Sequence, residues 1–214
     1  MFKTYIFDLD GTLVNSLYDL ADSMNSVLEK HNFPVFETDK YRYFVGNGTM
    51  KLVERTIPES ERTEEKISSY HSEFSEEYNK RCVNKTKPYD GIVGVLETLE
   101  SEGCKIAVAS NKPDSFAKFI VNSVFEEGIF DLVVGKKDNV PTKPSPEIIY
   151  EIIDRLSADK ESTVLVGDSD VDVKTAENSG IKCIGCDWGF RGREELEKAG
   201  ADFIAVKPED ILDY

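Results

Sequence analysis

Short β-prone runs alternate with amphipathic helical segments through the second half of the chain. The runs fall at residues 106–109, 132–134, 163–166, 183–185 and 203–205. Between them apolar residues recur every three or four positions, as in the segment 146–156, where Ser145 and Pro146 predict a helix cap and first turn. Strands that alternate with helices in this way pair in parallel. The pattern predicts an α/β fold with a doubly wound, Rossmann-like parallel sheet.

The N-terminal segment adds one strand to this sheet and leads into a helical insertion. Residues 4–7 are β-prone, and the strand is predicted to end at Asp8. Apolar residues then fall at helical spacing over 17–28 and again over 63–82, with shorter helical pieces between them. We therefore predict an α/β core domain formed by residues 1–14 and 86–214, with an all-helical cap domain inserted at residues 15–85.

The composition of the chain argues against nucleic acid and membranes as partners. The formal net charge is −15, with 41 acidic and 26 basic residues, which argues against a nucleic-acid-binding surface. No apolar run approaches the ~20 residues of a membrane span, and no secretory h-region follows Met1. The four cysteines do not form a disulfide framework. We expect a cytoplasmic protein, monomeric or homodimeric, with neither nucleic acid nor a membrane as its partner. Because the chain as a whole is acidic, a small anionic substrate would need local cations at its site.

Polar residues follow several of the predicted strands at their carboxyl ends, where open parallel sheets bind ligands. Each segment alone also fits a turn, a helix cap or a solvated loop, but all four occur in order at one sheet edge. The four segments are Asp8-Leu9-Asp10-Gly11-Thr12-Leu13, Ser110-Asn111-Lys112, Lys143-Pro144 and Gly167-Asp168-Ser169-Asp170-Val171-Asp172.

Carboxylates concentrated at one edge repel one another unless a cation neutralises them. Mg2+ suits such a set, because it is held by one or two carboxylates, waters and a substrate phosphate oxygen. From the residues alone, Asp8, Asp10 and Asp168 are the candidate ligands. Ser110 and Lys143 are placed to donate hydrogen bonds to a phosphoryl group.

The same four segments resemble the four motifs of the haloacid-dehalogenase superfamily, over essentially the whole chain. The helical cap, the Val45-Gly46-Asn47-Gly48 turn and the Trp188-Gly189-Phe190-Arg191-Gly192 segment resemble the phosphoglycolate phosphatase group of that superfamily. The resemblance implies a Mg2+-dependent phosphatase that acts on a small phosphomonoester, with 2-phosphoglycolate as the best candidate.

The resemblance also implies roles for individual residues. Asp8 is the nucleophile that forms an aspartyl-phosphate, and Asp10 protonates the leaving oxygen and later activates water. The implied metal set is Asp8, the backbone carbonyl of Asp10, the side chain of Asp168, and Asp172 as support for the metal's waters or for Lys143. Lys143 neutralises charge, Ser110 and the backbone N–H of Asn111 hold the phosphoryl oxygens, and Thr12 supports Asp10.

The sequence of the predicted cap domain indicates its substrate contacts less specifically than the four motifs indicate the active site. Gly46, Asn47 and Gly48 are the candidate substrate contacts there, because a glycine-rich turn can approach a ligand closely, although a plain turn is the alternative. Arg42, Lys51 and Arg55 could contact a substrate carboxylate or lie on solvated helix faces. Many relatives carry an acid where this chain has Asn15, which implies altered cap contacts.

Three alternatives stay open at this stage. A phosphosugar mutase of the same superfamily would keep the same motifs but return the phosphoryl group to its substrate. A pyrophosphatase or nucleotidase would differ in substrate only. A non-catalytic phosphate-binding module would usually lack the nucleophile or the acid, and both are present here. A dehalogenase is disfavoured because that chemistry needs neither Mg2+ nor a second acid at position 10.

Overall fold

The computed structural model describes residues 2–214. By the packing of the backbone the chain divides into two compact units, a larger one of Met1–Asn15 with Pro88–Tyr214 and a smaller one of Ser16–Lys87. The first crossing lies one residue later than the sequence-based boundary and the second lies two residues later. That the smaller unit serves as a cap over the larger one stays a proposal.

The helices and strands follow in chain order. The strands are β1 (Thr4–Phe7), β2 (Val14–Asn15), β3 (Lys87–Pro88), β4 (Lys105–Pro113), β5 (Leu132–Lys136), β6 (Thr163–Gly167), β7 (Lys182–Cys186) and β8 (Phe203–Ala205). The α-helices are α1 (Leu17–Lys30), α2 (Thr49–Thr56), α3 (Glu64–Arg81), α4 (Ile92–Ser101), α5 (Asp114–Val124), α6 (Glu147–Leu156), α7 (Asp170–Ser179) and α8 (Arg193–Ala199). Short 3-10 helices occupy Thr38–Tyr43, Glu59–Glu61, Lys160–Ser162 and Pro208–Asp213.

Six strands of the larger unit form one parallel sheet in the order β5-β4-β1-β6-β7-β8. The chain therefore starts in the middle of the sheet and builds outward on both sides, which confirms the predicted doubly wound fold. β1 lies between β4 and β6, with Phe7 paired to Val108 on one side and to Val166 on the other. This register brings the segments that follow β1 and β6 to the same edge as the last residues of β4. Residues 110–112, predicted to follow that strand, lie within it, because β4 continues to Pro113.

The core of the larger unit lies on both faces of the central strands. Every residue of β1 and β6 is buried, as expected for strands covered by helices on both sides. On one face, Ile148, Ile149 and Ile152 of α6 pack into a cluster with sheet residues that include Ile6 and Leu165. Helices on the two faces thus hold the strand ends, and the loops that follow them, in fixed positions.

Two predicted boundaries are wrong by one residue. Pro146, not Ser145, occupies the cap position of α6, whose first helical residue is Glu147. β1 ends at Phe7 and not at Asp8, because its pairing with β4 and β6 ends at Phe7, although the Asp8 N–H still donates to the Val166 carbonyl. The predicted end of α7 at Gly180 is confirmed: this glycine has φ +69°, the left-handed conformation typical of a helix C-cap.

The smaller unit is helical. Helix α1 packs against α3, and α2 packs against α3 as well. Asp19 of α1 is 1% exposed and accepts hydrogen bonds from the backbone N–H groups of Lys85 and Thr86 and from the Thr86 hydroxyl, at 2.7–3.1 Å. A buried carboxylate thus fastens the end of the unit's chain to its first helix. Within residues 2–214, no helix combines the length and the apolar character that crossing a membrane requires.

Candidate active site

Asp8 stands at the first position after β1 and is paired with a buried lysine. Its N–H donates to the Val166 carbonyl at 2.8 Å, which fixes the backbone between two strands. Lys143, 3% exposed, places its ammonium 2.8 Å from Asp8 Oδ1 and 2.7 Å from Asp172 Oδ1. Lys143 comes from the loop before α6, so the strand order unites residues that lie far apart in sequence. One cation therefore holds the carboxylates of two separate motifs.

Asp172 belongs to the first turn of α7 and has both carboxylate oxygens occupied. Lys143 donates to Oδ1, whereas the N–H and hydroxyl of Ser169 donate to Oδ2 at 3.2 and 2.7 Å. The side chain packs directly over Gly167, where an added Cβ would lie 2.3 Å from Asp172 Cγ. The glycine of the Gly167-Asp168 pair is thus required by the close approach of Asp172. Asp172 is therefore ion-paired with Lys143, and the two roles that the resemblance implies for it stay predictions.

Asp168 lies between two glycines and a backbone donor. The N–H of Phe190 donates to Asp168 Oδ2 at 2.6 Å. A Cβ on Gly11, whose φ is +96°, would lie 2.3 Å from that oxygen, and a Cβ on Gly189 would lie 2.2 Å from Asp168 Cβ. Trp188 adds an indole N–H that donates to the Thr12 carbonyl at 3.1 Å. The segment after β7 therefore packs on the loop after β1 and fixes the Asp168 carboxylate between them.

The electrostatics of this cluster are those of buried like charges. Burial raises the pKa of Asp8 to about 7, Lys143 opposes that shift, and the carboxylate of Asp172 adds to it. Burial, followed by repulsion from Asp172 and Asp8, raises the pKa of Asp168 well above its usual range. Burial alone would lower the pKa of Lys143, but Asp172 and Asp8 outweigh it and raise that pKa above its usual value.

The cluster has the composition of a cation site. Asp8, Asp168 and Asp172 each offer an oxygen, and these atoms lie within 4.8 Å of one another. Ionised, the three carboxylates carry three negative charges, whereas Lys143 supplies a single positive charge, so two negative charges are left over. Oxygen ligands and an excess of two charges fit a hard divalent cation. The set differs from the one expected from the residues alone, because the Asp10 carboxylate is not among these atoms.

The Asp10 carboxylate pairs with a second buried lysine. Lys112 Nζ lies 2.9 Å from Asp10 Oδ2, and the lysine side chain is 2% exposed against 13% for the aspartate. The expected support from Thr12 is not a hydrogen bond from its hydroxyl, since Thr12 Oγ1 is buried and finds no hydrogen-bond partner among the described residues. Sequence reasoning quoted Lys112 within its motif but gave it no role.

Residues of the Ser110-Asn111-Lys112 segment form hydrogen bonds with each other and with the loop that carries Lys143. Asn111 Nδ2 donates to the Lys143 carbonyl at 3.0 Å, and the N–H of Lys112 donates to Ser110 Oγ at 3.2 Å. Ser110 and Asn111 are both buried. The Asn111 side chain thus ties this motif to the lysine loop. The expected phosphoryl contacts of Ser110 and of the Asn111 N–H stay predictions.

In the smaller unit, the predicted glycine turn is held by an arginine. Gly46 and Gly48 have φ of +115° and +87°, so their residue type follows from the backbone. Arg55 of α2 donates to the Phe44 carbonyl at 2.9 Å and to Asn47 Oδ1 at 2.6 Å. Two further candidates from the sequence pair on the surface, Arg42 with Asp39 and Lys51 with Glu54.

Several supporting groups carry no signal that sequence reasoning could use. The Phe190 N–H is a backbone group that any residue except proline would supply, and the indole of Trp188 resembles an ordinary packing side chain. Gly189 belongs to a segment that was singled out only for its resemblance to the phosphoglycolate phosphatase group. All three act on the loop after β1 or on Asp168, which only the order of the strands brings near.

Comparison with known proteins gives a consistent result. A model of the haloacid dehalogenase-like hydrolase family matches residues 5–186. A phosphoglycolate phosphatase from Aquifex aeolicus is 31% identical over 210 residues, covering 98% of this chain and 95% of that one. Another from Psychrobacter arcticus is 32% identical, covering 97% and 90%. The crystal structure of a predicted phosphoglycolate phosphatase from Haemophilus somnus superposes with a TM-score of 0.90 at 29% identity, covering 99% and 97%.

Proposed function

The chain belongs to the haloacid dehalogenase-like hydrolase family and is a phosphoric monoester hydrolase, and from that premise we propose that it cleaves 2-phosphoglycolate through an aspartyl-phosphate on Asp8. The observation that carries the mechanism is the Asp8 carboxylate, fixed 2.8 Å from the Lys143 ammonium inside a cluster of buried acids. The substrate is supported by the names of the relatives, since a fold hosts many specificities.

The proposed reaction has two steps. In the first, an Asp8 oxygen attacks phosphorus, the bond from phosphorus to the ester oxygen breaks, and that oxygen takes a proton from Asp10. In the second, water attacks phosphorus and gives a proton to Asp10, the bond from phosphorus to Asp8 breaks, and inorganic phosphate leaves. Both aspartates return to their starting states. Ser110 and the N–H of Asn111 are proposed to hold the phosphoryl oxygens, and Lys143 to neutralise charge on Asp8 and phosphate.

A divalent cation, proposed to be Mg2+, would be held by Asp8, Asp168 and the backbone carbonyl of Asp10, with Asp172 supporting Lys143. When bound it would neutralise the excess negative charge and polarise the phosphoryl group. Without such neutralisation, the excess negative charge of the buried carboxylates would repel an anionic phosphomonoester. Asp8 and Asp168, two of the three residues whose oxygens lie within 4.8 Å of one another, belong to this proposed set.

The smaller unit is proposed to act as a cap that supplies substrate specificity. The support is the Gly46–Gly48 turn, in which Arg55 donates a hydrogen bond to Asn47 Oδ1. Asn47 and the two glycines are the proposed contacts with the substrate, and Thr12 is the proposed contact from the larger unit. The cytoplasmic location and the oligomeric state stay predictions from the sequence.

The test is phosphate release from 2-phosphoglycolate, hexose phosphates, nucleoside monophosphates and pyrophosphate, with and without Mg2+. We expect 2-phosphoglycolate to give the highest kcat/KM, and both metal removal and Asp8→Asn to abolish release. Asp213→Asn, the same change at an exposed aspartate in the last 3-10 helix, is the matched control and should leave the rate unchanged.

Other outcomes separate the alternatives. A phosphosugar that is isomerised without phosphate release, followed by phosphorus NMR, would replace the proposal with a mutase. Preference for pyrophosphate or a nucleotide would keep the mechanism and replace the substrate. Turnover of no compound by a folded, Mg2+-loaded protein would favour the non-catalytic module. Release that survives Asp8→Asn would refute the aspartyl-phosphate.

A further inference from the structure

Lys112 is a buried cation to which none of the roles above is assigned. Its side chain is 2% exposed, and its ammonium lies 2.9 Å from Asp10 Oδ2. Burying an ammonium is costly unless an anion and hydrogen bonds compensate it, so a lysine in this position signals a specific partner. That partner is the carboxylate of Asp10, which transfers the proton in both steps of the proposed reaction.

The backbone around Lys112 departs from regular pairing. Ala109 of β4 pairs with Val134 of β5, and the next pair is Pro113 with Lys136. Between these two pairs β4 therefore contains two more residues than β5. Irregularities of this kind redirect side chains and are common beside active sites. The two extra residues fall within the segment Ser110-Asn111-Lys112. The irregularity therefore places the lysine at the edge where the loop after β1 carries Asp10.

The two buried lysines of the site divide between the two aspartates of the first motif. Lys143 binds Asp8 and Asp172, and Lys112 binds Asp10. The Asp10 side chain is 13% exposed and the Lys112 side chain 2%, so the aspartate is the more accessible partner. A lysine that is more buried than its aspartate partner is placed to hold that aspartate, and not to bind substrate itself.

We propose that Lys112 is the positioning residue of Asp10. It anchors Oδ2, so that the carboxylate keeps one orientation and Oδ1 carries the proton to the ester oxygen in the first step and from water in the second. The inference rests on the proposed function, because it needs Asp10 to act as acid and base. It adds a residue whose loss affects only the steps in which Asp10 moves a proton.

The leaving group separates this role from a structural one. An alkyl phosphate such as 2-phosphoglycolate needs a proton on its departing oxygen, whereas p-nitrophenyl phosphate releases a stable anion and needs none. With Lys112→Met, kcat for the alkyl ester should fall about 100-fold with little change in KM, as expected for a misplaced catalytic group. The rapid burst of nitrophenol should keep its rate to within about threefold, because Asp8 and Lys143 are untouched.

Slow hydrolysis of the aspartyl-phosphate should then make that intermediate accumulate in the variant. The matched control is Lys118→Met, which removes an exposed lysine paired with Asp114 at 2.6 Å and should change none of these quantities. If Lys112→Met does not fold by circular dichroism, Lys112→Gln, which keeps a hydrogen-bond donor without the charge, is measured in the same way.

A double-mutant cycle completes the test. In an Asp10→Asn background, Lys112→Met should change the remaining burst rate and kcat by less than about threefold, since its target is already lost. The inference would be overturned by equal losses in kcat for the alkyl ester and in the nitrophenol burst rate, or by a raised KM at unchanged kcat. Additive effects in the cycle, or no effect at all, would overturn it as well. Failure of the proposed function is distinct: phosphate release by the native protein would be absent or would not depend on Asp8.

Discussion

Asp8→Asn removes one ionisable group from the carboxylate cluster and should change how the stability of the metal-free protein depends on pH. Burial, against the attraction of Lys143, raises the pKa of Asp8 in the folded chain to about 7, from the 3.8 of an exposed aspartate. Between these values Asp8 is protonated in the folded chain and ionised in the unfolded chain. Unfolding therefore releases a proton, and raising the pH favours unfolding.

The magnitude follows from the gap between the two pKa values. One pKa unit corresponds to 1.36 kcal/mol, so a gap of about three units lowers the free energy of unfolding by about 4 kcal/mol between pH 4 and pH 7. The loss is complete once the pH exceeds the folded pKa. Asparagine does not titrate, and it also relieves repulsion on Asp168 and Asp172, which acts in the same direction.

The assay is urea unfolding in EDTA at several pH values between 4 and 8, for the native protein and for Asp8→Asn. The stability of the native protein relative to the variant should fall by about 4 kcal/mol across this range. Surface acids and bases contribute equally to both proteins and cancel. Saturating Mg2+ should stabilise the native protein more at pH 7.5 than at pH 5, because the cation binds the ionised cluster. A difference that is independent of pH would refute the reasoning.

Three further predictions concern the supports of the site and of the smaller unit. Lys143→Met leaves two buried carboxylates without their cation and should cost about 3–5 kcal/mol in urea unfolding, whereas Lys174→Met, which removes an exposed pair, should cost less than about 1 kcal/mol. Gly189→Ala crowds the side chain of Asp168 and should raise the Mg2+ concentration for half-maximal activity at least about tenfold, which corresponds to about 1.4 kcal/mol of binding free energy. Gly94→Ala in α4 is the control, because its added methyl group has open space and should leave that concentration unchanged. Equal Mg2+ titrations of the two variants would contradict this prediction. Asp19→Ala leaves buried backbone donors unpaired and should cost about 2–4 kcal/mol in thermal or urea unfolding, and a loss below 1 kcal/mol would count against that network.

The sequence by itself determined the sheet and the list of acidic motifs. Five strands of the second half were predicted from residue type and spacing, because short β-prone runs between amphipathic helices have few alternatives. The edge at which Asp8 and Asp168 meet also followed, since the carboxyl ends of parallel strands share one edge. Helix ends were less certain, as the cap of α6 at Pro146 illustrates, because neighbouring polar residues compete for the same position.

Only the tertiary structure decided which charge binds which. Residue type alone does not distinguish Lys112 from Lys143. The irregular end of β4 places Lys112 beside Asp10, whereas the loop before α6 places Lys143 beside Asp8 and Asp172. The Phe190 N–H that holds Asp168 has no residue-type signature at all. Hydrogen bonds and ion pairs act over about 3 Å, so they depend on strand order and loop path, which bring together residues more than a hundred positions apart.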